Sequence, residues 1–261
     1  MDNVLGGFLR ARRESVTPAE AGLPAGPRRR TPGLRRGELA ELAGISVEYL
    51  TRLERGRDRH PSGQVLGALA DALRFTPDER VHLYRLIKAG TGNTCALAAE
   101  PLELRPAVRA LLDRLDPAPA LILTPYGEVL AATKGFRRLA DPTGLLDEDP
   151  PNLTWFVFTD PRARELFPDW EQVADEHAAQ LRTAADLGDY GAALLAEELA
   201  IMLGAGFSRR FAAAAVLPAA TGVERWAHPA AGPLTMPYES LPLPGTQECR
   251  LLVYLTEEAP V

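Results

Sequence analysis

Apolar residues recur at three- and four-residue intervals through the first third of the chain. Val4, Phe8 and Leu9 fall on one side of a helix over about residues 3–13. Leu39, Ala40, Leu42 and Ala43 mark a second over 35–43, and Leu50 and Leu53 a third over 46–55. Val65, Leu66, Leu69, Ala70 and Leu73 give a fourth, from Pro61-Ser62 to Leu73. Val81, Leu83, Leu86 and Ile87 give a fifth over 77–89, with Thr76 as cap and Pro77 at the first position. Gly44 and Ile45 make a tight turn, where glycine enters the left-handed region at little cost. Ser46 is a good N-cap, since its hydroxyl accepts from a free amide of the next turn. These signals predict a compact all-α, five-helix domain over 1–90, with the Pro-, Gly- and Arg-rich residues 16–33 as a long loop.

After residue 90 the pattern changes. Residues 91–105 read as a linker, followed by a helix from Arg105 to Leu115. Two short apolar runs, 119–123 and 128–132, flank Tyr126-Gly127 and signal a hairpin. A helical turn over 135–140, a loop over 142–151 and an aromatic-dense segment over 152–158 come next. Asp160-Pro161 caps a helix to Leu166, longer helices cover 171–187 and 190–204, and another lies near 206–216. Strands near 233–240 and 249–256 flank a Pro-rich turn at 242–246. Helices and short strands in this order predict an α+β domain with a small antiparallel sheet over 106–261.

Charge changes the picture. The net charge of −6 argues against nucleic acid, but it hides an asymmetry. Residues 1–90 hold 16 Lys and Arg against 11 Asp and Glu, and the remainder holds 13 against 24. A basic head before an acidic body suggests a DNA-binding domain joined to a regulatory one. Residues 28–36 carry five arginines and no acid, and close arginines repel unless an anion screens them.

The two helices about Gly44 therefore read as a helix-turn-helix, whose second helix fits the major groove. Candidate base contacts are Arg36, Val47, Glu48 and Arg52. Candidate backbone contacts are Arg28, Arg29, Arg30, Ser46, Thr51 and Arg55. Glu54 reads as a structural ion-pair partner of Arg10, Arg12 or Arg13. In the second domain Trp155, Phe156, Phe158, Phe167 and Trp170 read as core residues that would line a ligand pocket. His177, Arg182 and Tyr190 read as surface residues. The four histidines, His60, His82, His177 and His228, lack metal-ligand spacing, and no nucleophile elbow, phosphate loop or dinucleotide fingerprint occurs. No catalytic residue, metal or cofactor is expected. Cys95 and Cys249 lie far apart, and no apolar run is long enough to span a bilayer, so a cytoplasmic protein is expected.

The chain resembles XRE-family helix-turn-helix regulators of the MmyB-like type. The matching stretches include Leu5 to Arg13, Gly22 to Arg36, Tyr49 to Arg57, Pro61-Ser62, Val65-Leu66, Phe158 to Pro161 and Phe167 to Trp170. The resemblance implies a lambda-repressor-like DNA-binding domain followed by a PAS-like ligand-binding domain. It further implies a double-stranded DNA operator as partner, a homodimer, and a small apolar, fatty-acid-like effector. One stretch departs from the pattern. Where the family usually shows a Trp, then His-Asp-Val and a basic run, this chain has the apolar residues Phe211 to Ala220. The alternative is a DNA-bound regulator controlled by a protein partner or by dimer geometry, with no small-molecule ligand.

Overall fold

A computed structural model describes residues 4–24, 32–58, 61–90, 104–213, 219–244 and 249–255. In chain order the elements are α1 (Val4–Ser15), α2 (Arg36–Leu42), α3 (Val47–Glu54), α4 (Gly63–Ala72), α5 (Pro77–Gly90) and α6 (Pro106–Leu115). Strands β1 (Ala120–Leu123) and β2 (Val129–Ala132) precede α7 (Lys134–Ala140), α8 (Leu153–Thr159), α9 (Arg162–Leu166) and α10 (Trp170–Asp186). Then come α11 (Tyr190–Leu203), α12 (Ala205–Ala213), β3 (Thr221–His228), β4 (Gly232–Pro242) and β5 (Arg250–Tyr254). The chain forms two compact units. One holds Met1–Ala98 and Ala196–Arg209, the other Ala99–Leu195 and Arg210–Val261.

The first unit is all-helical, and its start signals act as the sequence predicts. The Ser46 hydroxyl accepts from the Tyr49 amide at 3.1 Å, and Gly44 has φ +65°. Thr76 and Glu79 cap α5 reciprocally, the Thr76 amide donating to the Glu79 carboxylate at 2.9 Å and the Glu79 amide to the Thr76 hydroxyl at 3.3 Å. Leu9, Leu39, Leu50, Leu53, Leu66, Leu69, Leu73 and Leu83 are fully buried in one core. Ile201, from a segment the sequence assigns to the second domain, is buried in that same core. The fit follows from two glycines one turn apart on α4. A Cβ at Gly63 would lie 2.7 Å from the Glu197 carbonyl oxygen, and one at Gly67 would strike the Ala200 carbonyl. Asp71 accepts from the Ala205 amide at 2.6 Å, and Arg80 donates to the Ile201 carbonyl at 3.1 Å. The contacts therefore divide the chain differently from a single cut near residue 90.

The second unit carries a five-stranded antiparallel sheet of order β2-β1-β5-β4-β3. Leu121 faces Leu252, and Tyr238 faces Tyr254. Leu121, Leu123, Phe136, Phe156, Phe167, Trp226, Met236 and Tyr254 form its main core. The hairpin at Tyr126-Gly127 is present, with Gly127 at φ +90°. Two elements differ from the sequence reading. The aromatic segment 152–158 is helix α8, whose first turn is capped by the Asn152 side chain accepting from the Trp155 amide at 2.9 Å. Strand β3 has no counterpart in that reading, because Glu224 and His228 hold inward-alternating positions where apolar residues are expected.

Candidate nucleic-acid interface and ligand cavity

Helix α3 presents a partly exposed outer face held by a buried ion cluster. Glu54, with its side chain 2% exposed, accepts from Arg13 of α1 at 2.6 Å and from Arg36 of α2 at 2.7 Å. Arg13 also donates to the Leu34 carbonyl at 2.9 Å. One carboxylate thus fixes the two helices of the motif to each other and to α1. Of the three arginines expected beside Glu54, Arg13 is the direct partner. Arg10 instead pairs with Glu14 at 2.9 Å and Arg12 with Glu79 at 3.1 Å. The Arg36 side chain remains 41% exposed, so it lies both in this cluster and at the surface.

The other candidate contacts stand on α3 and at its ends. Val47, Glu48, Arg52 and Arg55 are exposed. Arg52 lies over the Tyr49 ring at 5.3 Å, a packing that limits its rotamers. The Thr51 hydroxyl donates to the Val47 carbonyl at 2.8 Å. Ser46, already an acceptor as N-cap, keeps its hydroxyl proton for an outside acceptor. Arg28, Arg29 and Arg30 lie outside the described residues.

The second unit contains a cavity of about 40 Å³, lined in part by His177, Glu224, Tyr238, Ser240, Arg250 and Tyr254. Its chemistry is polar. Glu224 accepts from Tyr254 at 2.7 Å and from the Trp226 indole at 2.8 Å. Burial pushes the Glu224 carboxyl above the usual carboxylate range, although both hydrogen bonds work the other way. Burial, with the Arg250 charge beside it, lowers His177 to about 3, so the ring is neutral. His177 Nδ1 lies 3.0 Å from the Thr154 hydroxyl. The sequence predicts His177 at the surface. It is instead buried, because α10 turns that face onto the sheet unit's interior. Arg250 is the cation of the cavity, and burial lowers its pKa. Among the described residues, its buried Nε has no hydrogen-bond partner.

The five aromatic candidates lie elsewhere. Phe156 and Phe167 are buried in the core, and Phe158 and Trp170 pack against it. Trp155 is half-buried on α8. Trp170 has Arg164 3.5 Å from its ring centre and Arg210 5.3 Å away, and its indole donates to the Val157 carbonyl at 2.9 Å. Phe167 and Trp170 edge a surface depression that Arg164, Asp169 and Glu171 also line. Arg182 is half-buried with its guanidinium 5.6 Å from the Phe211 ring, and Tyr190 is exposed. The hydrophobic pattern does not single out Glu224 or Arg250. The only signal was charge at inward positions of strands, which looks like a surface strand until the sheet is assembled.

Residues 4–83 match a helix-turn-helix domain. Residues 104–260 match the MmyB-like transcription regulator ligand binding domain. The chain belongs to the MmyB-like regulator family. No curated protein matches it. In this MmyB-like regulator the exposed face of α3 falls inside the helix-turn-helix match, and the polar cavity falls inside the ligand-binding match. Among the described residues no helix is long and apolar enough to cross a membrane, and no cluster of His, Cys, Asp and Glu could hold a metal ion.

Proposed function

We propose that the protein is a ligand-responsive transcriptional regulator that reads a double-stranded DNA operator through α3. The observation that carries this reading is the capped, exposed α3 face set by the Glu54 ion cluster, within a helix-turn-helix match. In this reading Val47, Glu48 and Arg52 meet base edges in the major groove. Arg52, already packed on Tyr49, offers a bidentate donor to guanine. Ser46, Thr51 and Arg55 meet phosphate, with Arg28, Arg29 and Arg30 alongside. Arg36 keeps its place at the base-contacting edge while its Nε orients α2 against α3. The protein acts in the cytoplasm as a homodimer, one α3 per half-site about one DNA turn apart.

The sheet order β2-β1-β5-β4-β3, flanked by helices, supports a PAS-like reading of the second unit. Such a unit controls DNA binding when its effector has different affinities for the two states of the protein. The family resemblance implies an apolar effector on the set Trp155 to Trp170, but the packing of Phe156 and Phe167 into the core supports a structural role for those two.

The test is fluorescence anisotropy of the full chain with duplex from upstream of its own gene and with a scrambled duplex, across a salt series. Binding should weaken steeply with salt and prefer the native duplex. Arg52→Ala should reduce that preference by about 1–3 kcal/mol. Equal affinity of wild type and Arg52→Ala for both duplexes would overturn the assignment of α3.

A further inference from the structure

The cavity in the second unit is small, polar and asymmetric in its unmet needs. At about 40 Å³ it has room for about three waters, roughly 90 Å³ of liquid, which is the size of a two- or three-carbon acid. Its carboxylate Glu224 already accepts two hydrogen bonds. Its histidine is neutral and engaged by Thr154. Its guanidinium is different, because the buried Nε of Arg250 finds no acceptor among the described residues. A buried guanidinium N–H without an acceptor is costly, and an incoming acceptor would relieve that cost.

We propose that this cavity is the site of a small organic acid, its carboxylate seated on the Arg250 guanidinium. The unmet group is a donor, so the ligand must bring an acceptor, and a planar fork matches a carboxylate in two-point contact. The Tyr238 and Ser240 hydroxyls also line the space and supply neutral donors. Glu176 and Glu224 line it too, and they favour an acid that carries a hydroxyl donor over a bare one. Among the described residues, the volume is too small for a long acyl chain. Ala219, at the end of the stretch that departs from the family pattern, is part of this lining, so the departure touches the site itself. The proposal deepens the reading of the second unit as a ligand-responsive domain.

Calorimetry of the full chain without DNA tests the site apart from that reading. The probes are L-lactate, acetate and tetradecanoate, on wild type, Arg250→Met and Arg250→Lys, with thermal unfolding as the check that each variant folds. Lactate should bind with a Kd of about 1 mM or tighter, and acetate more weakly. Arg250→Lys keeps the charge but loses the fork, and should weaken lactate roughly tenfold. Arg250→Met should abolish it. If Arg250→Met fails to fold, the Arg250→Lys comparison decides. Binding of tetradecanoate alone, lactate binding indifferent to Arg250, or no heat with either short acid would overturn the site. Lactate binding that leaves operator affinity unchanged would uphold the site and count against ligand control of DNA binding.

Discussion

Glu54 holds arginines from two other helices, and its removal would leave the buried Arg13 with only the half-exposed Glu14, 3.2 Å away, as a carboxylate partner. Stranding one partner of a buried pair is far more costly than never having built it. Glu54→Ala should therefore cost about 3 kcal/mol in urea unfolding, whereas Asp186→Ala, which removes an exposed pair with Arg182, should cost well under 1 kcal/mol. His177 gives a second residue-scale prediction. Its folded pKa of about 3 lies below the ordinary value of 6.5, so the unfolded chain takes up a proton where the folded one does not. The stability it contributes is whole above pH 6.5 and falls as the pH drops toward 3. By pH 5 the loss should reach about 2 kcal/mol. Unfolding free energies of wild type and His177→Asn at pH 7 and pH 5 check this, since the variant should lack that part of the slope. The residue types at both positions are visible in the sequence, but only Glu54 takes the role that the sequence predicts. Its neighbours Arg10 to Arg13 lie on a helix with evident periodicity, while the burial of His177 depends on sheet strands more than forty residues away.

Helices were legible where a cap and a period coincided, as in α3, α4 and α5. Strand β3 was not, because Glu224 and His228 occupy inward positions whose partners come from other elements. Glu224 accepts from Tyr254, and His228 contacts the Leu139 carbonyl at 2.9 Å. Helix α8 escaped because a run of aromatics suits a strand as well as a buried helix. Glycines on two helices show how context reverses propensity. Gly7 in α1 has nothing within 4 Å of where a Cβ would sit, so Gly7→Ala should stabilise by about 0.5–1 kcal/mol. In α4 the same change at Gly67 drives a methyl into the Ala200 carbonyl, and should instead destabilise by about 2 kcal/mol. Thermal unfolding of the two single variants should shift in opposite directions.

At the scale of the whole molecule, the division into a basic head and an acidic body was legible from charge, but the path of the chain was not. Nothing in residues 196–209 announces that they belong with the helical unit, since their apolar positions suit any core. A fragment of residues 1–98 lacks Ile201 and the backbone partners of Asp71 and Arg80. It should be less stable by about 3–4 kcal/mol, from one buried aliphatic side chain and two hydrogen bonds. Adding a peptide of residues 194–212 should raise its urea midpoint, and no change on addition would contradict the shared core. The return of the chain also bears on inheritance. A single genetic crossover between two such regulators, placed in the stretch after α5, would give each offspring a head from one parent and the helix that seals it from the other. Unless Gly63 and Gly67 met backbone of the same shape, both offspring would fold poorly. Heads and sensors of this build are thus expected to be exchanged by paired crossovers or to descend together.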